Sequence, residues 1–170
     1  AIRTEKVPPE SRLSSSSLSP SRRWEVSEKD EKKIFCIHRG KGDHSPWKTA
    51  LMEEDCSRGR IWLEPEEAGI YFPLFALDQL LFSHLFLSRA GLIVHAAALE
   101  FVGGAFLFPA PAGGGKSTWA ELSAAQKDFR VLAEDKVIVR RTGGVWRVFG
   151  SPWNPRPEFR KPASAPLRGI

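Results

Sequence analysis

Ala110-Pro111-Ala112-Gly113-Gly114-Gly115-Lys116-Ser117-Thr118 is the stretch on which the fold turns. An apolar run, Ala105-Phe106-Leu107-Phe108, precedes it and a helical pattern follows. Successive glycines take positive φ and bring main-chain N–H groups close to an anion with no Cβ in the way. A lysine and a hydroxyl at the head of a helix add a positive charge and a metal-facing oxygen. Strand, loop, Gly-Lys-Ser-Thr and helix in this order read as a phosphate-binding loop over residues 110–118. Lys116 is then expected to reach the β- and γ-phosphates of a nucleotide, and Ser117 a magnesium ion. Ala110 stands where the usual pattern opens with glycine. A glycine-rich turn that merely contains Lys-Ser is the plain alternative, and the flanking strand and helix patterns weigh against it.

Working outward, Leu92 to Leu99 and Ala105 to Phe108 form a hairpin, its tight turn assigned to Gly103-Gly104. Past the loop, Lys116 to about Gln126 reads as a helix with apolar Trp119, Leu122 and Ala125 along one side. Phe129 to Ala133 follows as a strand, then the acidic pair Glu134-Asp135. Val137 to Val139 and Val145 to Phe149 continue as strands around Thr142-Gly143-Gly144. Only 18 and 19 residues separate Lys116 from the two acids. That interval holds one helix and one short strand, so the acids are expected at a strand end beside the loop. Large ATPases and GTPases place their magnesium-associated acid much later. The short spacing points to a small kinase.

Upstream, residues 1–30 are rich in Ser, Pro and charge and read as a flexible arm, followed by one domain over residues 31–170. Ile34 to His38 has strand composition, and a loop with Gly40, Gly42 and Pro46 comes next; Ile61 to Leu63 and Ile70 to Phe72 are two more short strands. His38 and His44 lack a convergent third ligand and read as surface histidines. Leu74 to Ala90 has a wide apolar face at helical spacing and is ended by Gly91, with His84 a structural residue.

A chain of 170 residues has room for one domain with a substantial core. Hydrophobic residues at 42% and charged ones at 26% exclude disorder throughout and a membrane class. The net charge of +5 is concentrated towards the ends, in Arg3, Lys6, Arg12, Arg22, Arg23, Arg156, Arg160, Lys161 and Arg168. It forms no basic stripe interleaved with aromatics, so no nucleic acid is expected as partner. Cys36 and Cys56 have no metal-site spacing and read as reduced thiols. With no leader pattern and no apolar stretch long enough to span a bilayer, the expectation is a cytoplasmic protein without a membrane partner. The chain opens without Met, so the natural start is expected upstream. It stops at Arg168-Gly169-Ile170, where a strand is beginning, so further catalytic residues are expected beyond.

The segment from His95-Ala-Ala-Ala-Leu through Gly-Lys-Ser-Thr, with Leu132-Ala133-Glu134-Asp135-Lys136-Val137, resembles the catalytic core of the HPr kinase/phosphorylase family, in particular its shorter bacterial relatives. The likeness covers about residues 74–150. It implies an α/β fold shared with phosphoenolpyruvate carboxykinase, with a mixed β-sheet phosphate-loop core and a β-rich N-terminal portion. Position by position, it implies His95 beside the transferring phosphoryl group, Lys116 stabilising its charge, Ser117 holding magnesium and Asp135 as general base. Glu134 replaces the family's first aspartate and is carried over, with Ser117 and Asp135, into the magnesium shell. Pro166-Leu167 precedes Arg168-Gly169, where the family has a magnesium-associated glutamate, which favours the kinase over the reverse phosphorylase reaction.

The activity so implied is ATP- and Mg2+-dependent phosphoryl transfer to a serine hydroxyl of a small protein or peptide, by an enzyme that forms homo-oligomers. Two other functions stay open at this point. One is a small-molecule kinase with Arg156 and Arg160 clamping phosphate; the other is an ATP-binding sensor without catalysis.

Overall fold

Positive φ at Val102 (49°) and Gly103 (71°) folds the central hairpin in the computed structural model, which describes residues 2–3, 24–38, 46–63, 76–159 and 162–170. The turn therefore lies one residue earlier than Gly103-Gly104. Phe101 pairs with Gly104, leaving a two-residue turn of the kind whose twist matches the strands it joins. Val102 takes a left-handed position that β-branched residues normally avoid, and it does so in solvent, 84% exposed.

The chain divides into two compact units, Ala1–Leu85 and Phe86–Ile170. In the first, β1 (Ile2–Arg3), β2 (Trp24–Lys29), β3 (Lys32–His38), β4 (Pro46–Glu53) and β5 (Gly59–Leu63) form a sheet in the order β1-β5-β4-β3-β2. Helix α1 (Leu77–Leu87) packs Leu77, Leu80, Leu81 and Leu85 with Phe35, Ile37, Ala50 and Cys56. β4 stands where the sequence suggested a loop around Pro46, because buried Lys48 and Thr49 break its apolar pattern. Lys48 Nζ lies 4.2 Å from the centre of the Trp47 ring. β2 takes up the end of the stretch expected to be an arm. His38 is buried rather than on the surface. His84 meets Phe35 edge-on, as a structural residue should. The rest of the arm except residues 2–3, His44, the loop glycines Gly40 and Gly42, Ile70 to Phe72, Leu74, Phe75, Arg160 and Lys161 lie outside the described residues.

Helix α1 stops at Leu87, short of Ala90, and the reversal is made by Ala90 at φ 51°. Gly91 is needed for a different reason. It opens β6, where a Cβ would meet Val139 O at 3.2 Å and Phe86 Cβ at 3.3 Å.

The second unit contains β6 (Gly91–Phe101), β7 (Gly104–Pro109), α2 (Lys116–Ala124), β8 (Phe129–Ala133), β9 (Lys136–Thr142), β10 (Val145–Phe149) and β11 (Ser164–Gly169). β6 pairs with β7, β7 with β11, β11 with β10, β10 with β9, and β9 again with β6, so the mixed sheet closes on itself. β7 and β11 are parallel, and the other pairs in this ring are antiparallel. The enclosed core is built from small side chains, Ala96, Ala98, Ala105, Val137, Val139, Val148 and Ala165, with Leu107 and Leu132. A ring of so few strands leaves room for little more. Leu132 is the extra residue of a bulge against β6, so Leu132 and Ala133 both join this core, while Val131 packs with Ala120 of α2.

The chain is thus mixed α/β, mostly strands, with two described helices and a mixed sheet. Among the described residues no helix is long and apolar enough to cross a membrane.

Candidate functional site

β7 and β8 both run antiparallel to β6, on its two edges: Ala98 pairs with Leu107 on one side and Ala133 on the other. Both therefore leave β6 in the same direction, near its middle. β7 runs into the glycine-rich loop, β8 into Glu134-Asp135, and His95 lies at that point of β6, one residue beyond the Ala96–Pro109 pair.

Within the loop, Gly113 and Gly115 hold φ at 78° and 82°, and the space where a Cβ would point is open at both. Gly114 N–H donates to Pro111 O at 3.0 Å. A Cβ on Gly114 would come within 2.8 Å of the Ala110 methyl, so glycine at 114 is what accommodates alanine at 110. Helix α2 begins at Lys116 with no side-chain cap, and Trp119 N–H to Gly115 O, 2.9 Å, is a bond of its first turn. The N–H groups of Lys116, Ser117 and Thr118 precede it and face out of the helix start. Buried Lys116 donates from Nζ to Ala110 O (2.7 Å) and Pro111 O (2.9 Å), which holds its ammonium against the loop.

The helix buries Lys116, Ala120 and Ser123. The apolar side read from the sequence is turned outward: Trp119 is 55% and Leu122 64% exposed. Trp119 stacks on Phe108 from β7, ring centres 5.6 Å apart.

His95 Nε2 lies 3.0 Å from Asp135 Oδ1, and Lys136 Nζ donates to Asp135 Oδ2 at 2.7 Å. Neighbouring Glu134 goes elsewhere. It is 2% exposed, its carboxylate facing Arg156 Nε at 3.5 Å. Burial pushes its pKa up, and Arg156 pulls it back down. Arg156 also bonds Glu121 on α2, so this arginine, offered by the sequence as a phosphate clamp, is held between two carboxylates. The structure thus brings His95 and Asp135 together, keeps Lys116 on the loop and leaves Ser117 exposed, while Glu134 sits in a separate pair with Arg156.

No family model matches this chain, nor does any curated protein or solved structure.

Sequence reasoning missed Lys136, Ser151 and Asn154. Lys136 was legible in principle as the cross-strand neighbour of His95; the other two carry no motif. The loop residues suit a polyphosphate: two left-handed glycines with open space beside them, uncapped helix N–H groups and a lysine already at the rim. Among the described residues no group of three or more His, Cys, Asp or Glu converges on a metal position. A magnesium ion carried by nucleotide phosphates needs only one or two protein oxygens, and the Ser117 hydroxyl and Asp135 carboxylate are of the right kind.

Proposed function

We propose that this chain transfers the γ-phosphoryl group of ATP, with Mg2+, to a hydroxyl, the acceptor being a serine of a small protein or peptide. The observation that carries the reading is the His95–Asp135 contact, made from the middle of β6 one residue beyond the pair between Ala96 and Pro109, where β7 enters the glycine-rich loop. Phosphoryl transfer asks mainly for positioning and charge neutralisation, with one carboxylate to orient the nucleophile. The loop N–H groups and Lys116 hold the phosphates, and magnesium, when bound, would supply further charge neutralisation. Ser117 and Asp135 are the residues that would hold the ion. Asp135 takes the proton of the attacking hydroxyl as its oxygen bonds to the γ-phosphorus and the bond to the ADP oxygen breaks. His95 keeps the Asp135 carboxylate in place.

An observation also favours the non-catalytic sensor: both oxygens of Asp135 already have partners, His95 and Lys136. Turnover separates the two. Calorimetric titration with ATP and Mg2+ tests what they share. Wild type should bind and Lys116→Ala should lose most of that affinity; equal binding by both would remove the loop from either account.

A further inference from the structure

Strands β8 and β9 run along one edge of β6 in one register, Ala133 opposite Ala98 and Lys136 opposite His95. Between them Glu134 and Asp135 leave the ladder. Were the strand continuous, Asp135 would fall opposite Ala96, whose side chain points into the apolar core. The register would then send the Asp135 carboxylate into that core, on the far face from His95 and Lys136. The interruption is what lets Asp135 share a face with both.

On the β6 side the register keeps one ladder bond, Ala96 N–H donating to Asp135 O at 3.0 Å. Buried main-chain groups that face away from β6 need partners of their own. On the other side, Glu134 N–H donates to Asn154 Oδ1 at 2.9 Å, and Ser151 Oγ donates to the Lys136 carbonyl. Asn154 is 1% exposed, and its Nδ2 donates to Phe159 O at 2.8 Å. Phe159 in turn packs with Leu99, Ala120 and Val131. The residues before and after Asp135 are therefore both bonded by one anchored segment.

We propose that Asn154 and Ser151 are positioning residues for Asp135: by bonding the main chain of Glu134 and Lys136 they hold the strand open and set Asp135 Oδ1 against His95 Nε2. The kinetic consequence rests on the transfer reading; the geometric one does not. The test uses the full chain, with the His95 ring signals followed by NMR at one pH and Asp135→Asn as reference for the broken contact. Asn154→Ala should move the His95 signals most of the way to their Asp135→Asn position. Ser151→Ala, the milder change and the variant that decides if Asn154→Ala does not fold, should move them the same way. In ATP turnover, kcat should fall about tenfold or more and half-saturating Mg2+ should rise, because Asp135 also faces the ion. His95 signals unmoved in both variants, with Asp135→Asn moving them, overturn the proposal. A wild type without turnover counts against the transfer reading alone, and the NMR comparison still decides this one.

Discussion

His95 Nε2 and Asp135 Oδ1 meet at 3.0 Å because β6 and the β8–β9 edge carry them to one place from distant parts of the chain. If Asp135 is the base, Asp135→Asn should lower phosphoryl transfer by roughly a hundred- to ten-thousandfold while ATP affinity changes little. Radiolabel transfer alongside calorimetry reads both. Unchanged transfer would remove Asp135 from the mechanism.

Glu134 is buried and depends on Arg156, whose side chain is 30% exposed. Arg156→Ala should destabilise the chain by about 2 kcal/mol, less than for a fully buried pair, by leaving that carboxylate without its cation. Adding Glu134→Gln should recover part of the loss in urea melts. The pH dependence has a definite sign. Burial raises the Glu134 pKa, so above the ordinary carboxylate range the folded chain keeps a proton that the unfolded chain has lost, and stability falls as pH rises. Arg156→Ala removes the opposing charge, so its deficit relative to wild type should shrink as pH is lowered from 7 towards 5. A pH-independent deficit would contradict this.

Burial pushes the Cys36 thiol from its ordinary value of 9.0 up to about 11, against the pull of its hydrogen bond with Thr49. Cys36 should resist thiol reagents at pH 8 in the native chain and react on unfolding. Between pH 9 and 11 the unfolded chain releases a proton that the folded one retains, so stability should decline there by an amount of order 2 kcal/mol. Rapid native labelling of Cys36 would be the contrary result.

Gly114→Ala meets the Ala110 methyl and Pro111 O, whereas Gly113→Ala enters open space at a left-handed φ. The first should lower stability by about 1–3 kcal/mol through overpacking and the second by about 1 kcal/mol through backbone strain. Pairing Gly114→Ala with Ala110→Gly should restore part of the loss in thermal melts. No restoration would mean that the two sites are not coupled.

β8 and β10 were legible in the sequence at their full length from their apolar and β-branched content, as was the turn at Gly143 and Gly144, which both hold positive φ. α2 was legible as a helix but not in its orientation. Lys116 must face the loop, which fixes Ala120 and Ser123 as the buried row and turns Trp119 and Leu122 out, against the hydrophobic pattern. The closure of the sheet was hidden, because the parallel β7–β11 pair joins residues far apart in the chain. His95 and Asp135 were found as candidates; their contact, and the Asn154 bond beside it, depend on a gap in a strand that no local pattern announces.

The most direct test of the central claim is transfer from γ-labelled ATP with Mg2+ into fractionated bacterial proteins, comparing wild type, Lys116→Ala and Asp135→Asn. Label on serine of a protein band with wild type, and with neither variant, is the predicted result. Label in small metabolites, or ATP bound by wild type with no label transferred, would contradict it.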